Sequence, residues 1–447
     1  MSHYKRYPTY KDSGVEWIGL VPEHWEVKRL RHVAALNPAP EWRELERQQT
    51  EYPFLPMEAI GEAGVLDVNG RKPLDECRSG YTYFAEGDVV YAKVTPCFEN
   101  GKGAVIRGLE SGHGFGTTEL TVLRATAIDR DYLYALTFAD SFRRPGASEM
   151  LGSGGLKRVP DEFVRNYRAA IPPLVEQSTI AAALDRETAR IDALIAKKTR
   201  FIELLKEMRQ ALITHTVTKG LDPNVKMKDS GVEWIGEVPE HWSSIPIRRV
   251  ARLESGHTPS RSAPDYWENC TIPWFTLADI WQVRREGLVV VNETSERISE
   301  LGIANSSARK LPAGTVILSR TASVGFPAIM GCEMATSQDF AAWICSDRLY
   351  NRFLYLSLVA MREELGRLTM GSTHKTIYMP DIEQLRCPLP PVSEQQRIVE
   401  FVGRQTDRTN ALAAKVERSI TLLKERRFAL ITAAVTGKID LARGDSA

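Results

Sequence analysis

The most regular alternation of apolar and polar positions runs from Leu184 to Leu212. Leu184, Glu187, Ile191, Leu194, Lys198, Phe201, Leu205, Met208 and Leu212 follow in steps of three and four, and seven of these nine are apolar. Such a stripe is the seam of a helix packed on another helix. Pro172 and Pro173 block an earlier start, Glu176 or Ser178 can serve the first turn, and Gly220 ends the helix. A second stripe is more polar: Val402, Gln405, Thr409, Leu412, Val416, Ser419, Leu423, Arg426 and Leu430, closing at Gly437. Roughly 40 helical residues extend about 60 Å at a rise near 1.5 Å each, so two long helices packed as a rod are predicted.

Elsewhere the period changes to two. Residues 88–94 (DVVYAKV), 119–123 (ELTVL), 315–319 (TVILS) and 340–345 (FAAWIC) are short β-rich runs bounded by Gly, Pro, Asn and Asp. Helices are predicted near 132–142 and 349–365. Residues 26–171 and 243–389 therefore each read as a mixed, β-rich globule with a curled sheet and flanking helices.

The chain is also written twice. "KDSGVEWIGLVPEHW" begins at Lys11 and "KDSGVEWIGEVPEHW" at Lys228, differing only at Leu20 and Glu237. The long helical segments form a second repeat, opening "PPLVEQ" at Pro172 and "PPVSEQ" at Pro390 and sharing Leu-Leu-Lys-Glu and Ala-Leu-Ile-Thr without a gap. Internal repetition organises the division: a first repeat segment, 1–25; a variable globule, 26–171; a long helix, 172–219; a linker with the second repeat segment, 220–242; a second globule, 243–389; a second long helix, 390–440; and a tail, 441–447. The expected fold class is α+β, two globules joined by two long antiparallel coiled-coil helices in a pseudo-two-fold repeat. Trp17, Trp25, Trp234 and Trp242 are expected as packing or partner-docking anchors, with Leu205 and Leu423 on the helices. The substituted position, Leu20 or Glu237, is expected to be exposed.

Composition changes this picture little. The chain has 447 residues, 43% hydrophobic and 26% charged, with a net charge of +1, so any basic surface must be local. No apolar run reaches membrane-spanning length, and the N-terminus lacks an apolar leader. The six cysteines are scattered without C-x-x-C or zinc spacing, as expected of reduced thiols in a cytoplasmic protein.

Catalytic patterns are missing. No Asn/Asp-Pro-Pro-aromatic turn occurs for an amino-methyltransferase, no Gly-rich phosphate loop stands in a strand–loop–helix frame, and Glu26-Val-Lys28 is only a fragment of a nuclease triad. No catalytic residue, metal site or cofactor of this chain's own is expected. What recurs is recognition chemistry. Three pairs of segments correspond between the globules: "FAEGDVVYAKV" with "LPAGTVILSRT", "GTTEL" with "ATSQDF", and "GSGGLKRVP" with "GSTHKTIYMP". They, with the residue that follows the first, carry Lys93, Thr95, Thr117, Thr118, Glu119, Ser153, Lys157 and Arg158 in the first globule. In the second, they and the two residues that follow the first carry Arg320, Thr321, Ser323, Thr336, Ser337, Gln338, Asp339, Ser372, His374 and Lys375. Basic side chains suit guanine edges and phosphates, Gln suits adenine, Asp and Glu suit the cytosine amine, and hydroxyls suit phosphates. Singly these are solvated turn residues; matched placement in both halves makes them candidates for DNA contact.

The doubled "KDSGVEWIG-VPEHW", the "PP-EQ" opening and the "ALIT-VT-G-ID" close together resemble the specificity subunits of type I restriction–modification systems, over nearly the whole chain. The resemblance implies two target-recognition domains held at opposite ends of an antiparallel helix pair. It implies binding to double-stranded DNA at an asymmetric bipartite target, one half-site per domain, and docking of two modification subunits that methylate adenine at N6. Restriction subunits join through these. The chain itself would be no enzyme; S-adenosylmethionine, ATP and Mg would sit on the partner subunits. A fused restriction–methylation enzyme and a coiled-coil scaffold unrelated to DNA are the alternative expectations.

Overall fold

The structure is a computed structural model that describes residues 4–62, 64–78, 80–153, 155–286, 290–369 and 375–442. The chain divides into two compact units, one of residues 1–199 with 417–447 and one of residues 200–416.

In the first unit, Ala34–Leu36, Leu120–Ala125, Val89–Ala92 and Gly103–Val105 form an antiparallel sheet in that spatial order. A second sheet runs Arg71–Pro73, Glu51–Leu55, His113–Gly116, Thr82–Ala85, with one parallel pairing between Phe115 and Phe54. All four residues of Val89–Ala92 are buried, as in a strand covered on both faces. The repeat segment forms a hairpin, Tyr10–Asp12 with Leu20–Pro22, and then enters Glu26–Arg29, which pairs with Arg168–Ile171 just before the long helix Leu174–Lys219.

The second unit repeats this order. Ala251–Ser255, Phe340–Cys345, Val316–Ser319 and Pro327–Met330 form the antiparallel part of a five-stranded sheet completed by Val290–Val291. Glu296–Ile298, Ile272–Phe275 and Ala335–Thr336 form the smaller sheet. The repeat hairpin is Met227–Asp229 with Glu237–Pro239, and Ser243–Pro246 pairs with Arg386–Leu389 just before the long helix Val392–Val435.

Three expectations need correction. The helix expected over 132–142 is two helices, Arg130–Phe138 and Asp140–Ser148. Asp129 caps the first by accepting from the Asp131 and Tyr132 amides. Ala139 leaves the helical region at ψ 147°, and the next amide, Asp140, donates to Thr432 Oγ1 at 2.9 Å. The helix expected over 349–365 likewise breaks at Met361, between Asn351–Ala360 and Arg362–Arg367. Finally, the seam of the first long helix is displaced. Leu184, Ile191 and Leu205 are buried as expected, but Leu194, Phe201 and Met208 are 47%, 41% and 56% exposed. The covered stripe runs instead through Ile191, Ile195, Lys198, Ile202, Leu205 and Arg209. That is also a three–four pattern, one residue onward, and the neighbouring apolar residues hid the choice.

Candidate nucleic-acid interface

Each unit is built around the same clamp. Trp25 is wholly buried, and its Nε1–H donates to Glu176 Oε1 at 3.1 Å, while His24 Nε2 lies 2.8 Å from Glu176 Oε2. In the second unit Trp242 donates to Glu394 Oε2 at 2.9 Å, and His241 Nε2 lies 2.9 Å from Glu394 Oε1. The next residue locks the helix start from the other side. Gln177 Nε2 donates to Pro172 O and its Oε1 accepts from the Asp129 amide; Gln395 Nε2 donates to Pro390 O and its Oε1 accepts from the Tyr350 amide. The two sequence repeats are thus one physical device. The His-Trp of the first grips the Glu of the second, and the Gln ties that helix to the globule.

Trp17 is 44% exposed and stacks on Tyr167 at 6.1 Å; Trp234 packs at the edge of the second unit's core. Leu205 is buried, and Leu423 packs against the first unit's core. Leu20 is 59% exposed and Glu237 is exposed too, as the tolerated difference requires.

The recognition candidates of the first unit converge at one place. The hairpin Leu151–Ser153 with Leu156–Arg158 is exposed along all its strand residues, including Ser153, Lys157 and Arg158. It lies beside Lys93 and Thr95: the Thr95 amide donates to Lys157 O at 2.9 Å, the Lys157 amide to Thr95 Oγ1 at 2.9 Å, and the Val159 amide to Lys93 O at 2.9 Å. The Lys93 amide in turn donates to Glu119 O. Arg158 forms a two-pronged pair with Glu119, Nε to Oε2 at 2.8 Å and Nη2 to Oε1 at 2.6 Å. These hydrogen bonds hold the Glu119 carboxyl below the usual carboxylate range. Thr118 is exposed, and the Thr117 amide is tied to Leu55 O.

The second unit shows the matching framework. The Arg320 amide donates to Asp339 O at 2.8 Å, as Lys93 does to Glu119 O, and Thr321 bridges Thr376 where Val94 bridges Arg158. Arg320 Nη1 donates to Ile377 O at 3.3 Å. Gln338 is exposed and accepts from Thr258 Oγ1 at 2.7 Å. The Ser323 amide donates to Thr321 O, and Lys375 is exposed. Two expected contacts sit inside the fold. Ser337 is 3% exposed with its hydroxyl bonded to Asp339 Oδ2 at 2.9 Å, and Thr336 is fully buried. The tight approach of Gly256, where a Cβ would come 2.0 Å from Thr336 O, draws this segment into the sheet. Ser372 and His374 lie outside the described residues.

Several aromatic side chains beside these loops carry no signal in the sequence. Trp42, Tyr81, Tyr83 and Phe115 line a hollow of about 300 Å³ with Lys93. In the second unit Arg261 lies 3.8 Å over the Trp267 ring and 5.5 Å from Trp274. No spacing in the sequence joins these residues; only the fold does. Among the described residues, no cluster of three or more His, Cys, Asp or Glu side chains is gathered for a metal, and no helix is long and apolar enough to cross a membrane. All six cysteines are unpaired.

Two sheet-bearing units, each clamped to the start of a long helix and each carrying a polar loop cluster on the same framework, define a class of doubled, helix-mounted α+β proteins. Residues 239–422 match the family described as "Type I restriction modification DNA specificity domain". The EcoEI and EcoAI specificity subunits of Escherichia coli are each 36% identical over 197 residues, 43% of this chain. The matched stretch spans about a third of the length of either relative. A putative MjaX specificity subunit of Methanocaldococcus jannaschii is 21% identical over 94% of this chain and 95% of its own length. The fold resembles a chain solved in work on "complex assembly" and "conformational transition of the type I R-M system", with TM-score 0.70 and 20% identity over 93% of this chain and 98% of that one. It also resembles the HsdS subunit from Thermoanaerobacter tengcongensis, TM-score 0.53, 20% identity, over 94% and 98% of the two chains. Residues 239–422 thus carry the likeness to the type I specificity domain, and the chain as a whole is similar to type I specificity subunits.

Proposed function

We propose that this chain is the DNA-reading component of a type I restriction–modification complex. Residues 26–171 and 243–389 act as two target-recognition domains, each reading one half of an asymmetric bipartite site in double-stranded DNA. The observation that carries this is the contrast between the two kinds of surface. The clamp is identical in both units, His24, Trp25 and Glu176 against His241, Trp242 and Glu394. The loop clusters share a backbone framework but differ in side chain, Lys93 and Glu119 against Arg320 and Asp339. Identical parts suit a common scaffold and a common partner; different parts on one framework suit different base pairs.

The two long helices act as an antiparallel spacer in a pseudo-two-fold chain. Within the first unit Asp192 pairs with Arg427 at 3.2 Å, and within the second Arg209 donates to Asn410 at 3.2 Å, so each unit packs a part of one long helix against a part of the other. Half-sites about one helical turn of DNA apart, roughly 34–36 Å, are the spacing such a pair serves. The exposed or half-buried loop residues are the contact set: Lys93, Thr95, Thr118, Ser153 and Lys157 in one domain, and Arg320, Thr321, Ser323, Gln338 and Lys375 in the other. Glu119 and Arg158 act as a pair that holds the hairpin, and Ser337 shapes its loop through Asp339.

The chain catalyses no step. Two modification subunits dock on it and methylate adenine at N6, flipping the base into their own site, and restriction subunits join through them. S-adenosylmethionine, ATP and Mg belong to those partners, and the complex works in the cytoplasm. Incubating the chain with DNA and S-adenosylmethionine tests this division. No methyl transfer is expected without the modification subunit. With it, footprinting should show two protected segments flanking an unread spacer. Methylation by the isolated chain, or no split footprint from the complex, would overturn the reading.

A further inference from the structure

The two clamps differ in what lies on them. In the first unit the N-terminal segment lays Tyr7 across the clamp, with its ring 5.6 Å from Trp25 and 5.8 Å from His24. Its hydroxyl donates to Glu176 Oε1 at 2.9 Å, and the residue is 7% exposed. Glu176 therefore receives Tyr7, Trp25 and His24 together. Burial and the adjacent carboxylate hold the phenol protonated well above its usual range.

The register carries over to the second unit. The Glu23 amide donates to Thr9 O and the Glu240 amide to Lys226 O, so the position equivalent to Tyr7 is Asn224. Asn224 is exposed, and its amide is drawn to Asp222 Oδ1 at 2.9 Å in a local turn. The side chains equivalent to those that hold Tyr7 instead line a cavity of about 320 Å³: His241, Trp242 and Glu394, with Pro239, Ile398 and Arg397 around them. Glu394 receives His241 and Trp242, and among the described residues it has no third donor.

We propose that this cavity is a docking pocket for a tyrosine side chain presented by an extended segment of a partner protein. The ring lies against Trp242 and His241, and the phenol donates to Glu394, as Tyr7 does within the first unit. The rim specifies more. Arg397 stands where the first unit has Thr179, so the pocket entrance carries a cation that its twin lacks at that position. A tyrosine next to Asp or Glu fits it best. Because the chain's own Tyr7 closes the first site, one such segment binds per chain, and the two otherwise matching clamps become distinguishable to a partner.

The test uses the full chain with indole-¹⁵N tryptophan, the Trp242 signal being assigned with Trp242→Phe. The probes are the capped tripeptide Glu-Tyr-Pro and its Phe counterpart. Glu-Tyr-Pro should shift the Trp242 indole signal saturably and leave that of Trp25 unmoved. Binding of the Phe peptide should be about ten-fold weaker, since a hydrogen bond to a charged acceptor is lost. Glu394→Gln should erase most of that difference. Asn224→Tyr should fill the pocket from within, raise the melting temperature and block the peptide. No shift at Trp242, equal binding of both peptides, or an Asn224→Tyr variant that melts lower and still binds Glu-Tyr-Pro would each overturn the proposal.

Discussion

At the scale of single residues, the clamp concentrates more stabilisation than any loop. Trp25→Ala removes a fully buried indole and leaves Glu176 without one of its donors. A loss of about 3–5 kcal/mol is expected, read as a lowered urea midpoint with unchanged slope. Trp17→Ala removes only a half-exposed ring stacked on Tyr167, and no more than about 1.5 kcal/mol should go with it. Neither change should alter which bases are read; altered sequence preference in a fully folded Trp17→Ala protein would place the repeat in the reading head. Trp25 and Trp242 stood out in the sequence because identical residues recur in otherwise diverged halves, and both are buried. Their acceptor did not stand out. Glu176 stands far along the chain from Trp25, and its sequence context offers only a helix first turn. Ser337 shows the opposite failure, a hydroxyl in a matched loop that the fold turns inward toward Asp339.

At the scale of elements, the two helix-ending glycines separate cleanly. Gly220 and Gly437 both adopt left-handed backbone, φ 78° and 71°. A Cβ at Gly437 would stand 2.2 Å from the Pro22 side chain, whereas one at Gly220 would meet Trp242 at 3.2 Å. Gly437→Ala should therefore lower the melting temperature clearly more than Gly220→Ala; equal losses would contradict this packing. The Arg158–Glu119 pair makes the hairpin pH-dependent. A carboxyl whose folded pKa is depressed contributes stability that is complete above its unfolded value, about 4.3, and is lost as pH falls through the folded value. The protection of the Leu151–Ser153 and Leu156–Arg158 amides, relative to the intrinsic exchange rate at each pH, should fall as pH drops below about 4. Glu119→Gln should show lower protection at neutral pH and lose that dependence. The effect will be modest, because Arg158 is exposed. Helices and strands were legible here where period and turn residues agreed, as at Phe340–Cys345. Breaks at Ala139 and Met361 were not, since a tertiary partner such as Thr432 sets them.

At the scale of the whole molecule, repetition made the plan readable and divergence marked what is left to read. The two blocks that had to stay alike are the ones that grip each other, Trp25 with Glu176 and Trp242 with Glu394. The blocks free to vary carry the exposed loops. If the proposed function holds, exchanging residues 26–171 for the corresponding block of a type I specificity subunit should change one half-site and leave the other and the spacer intact. The most direct measurement of the central claim is the adenine-N6 methylome of the source cell, compared with that of cells lacking this gene. The account predicts the disappearance of one motif, two unlike half-sites separated by a fixed run of unspecified bases. An unchanged methylome, or the loss of a continuous palindromic motif, would contradict it.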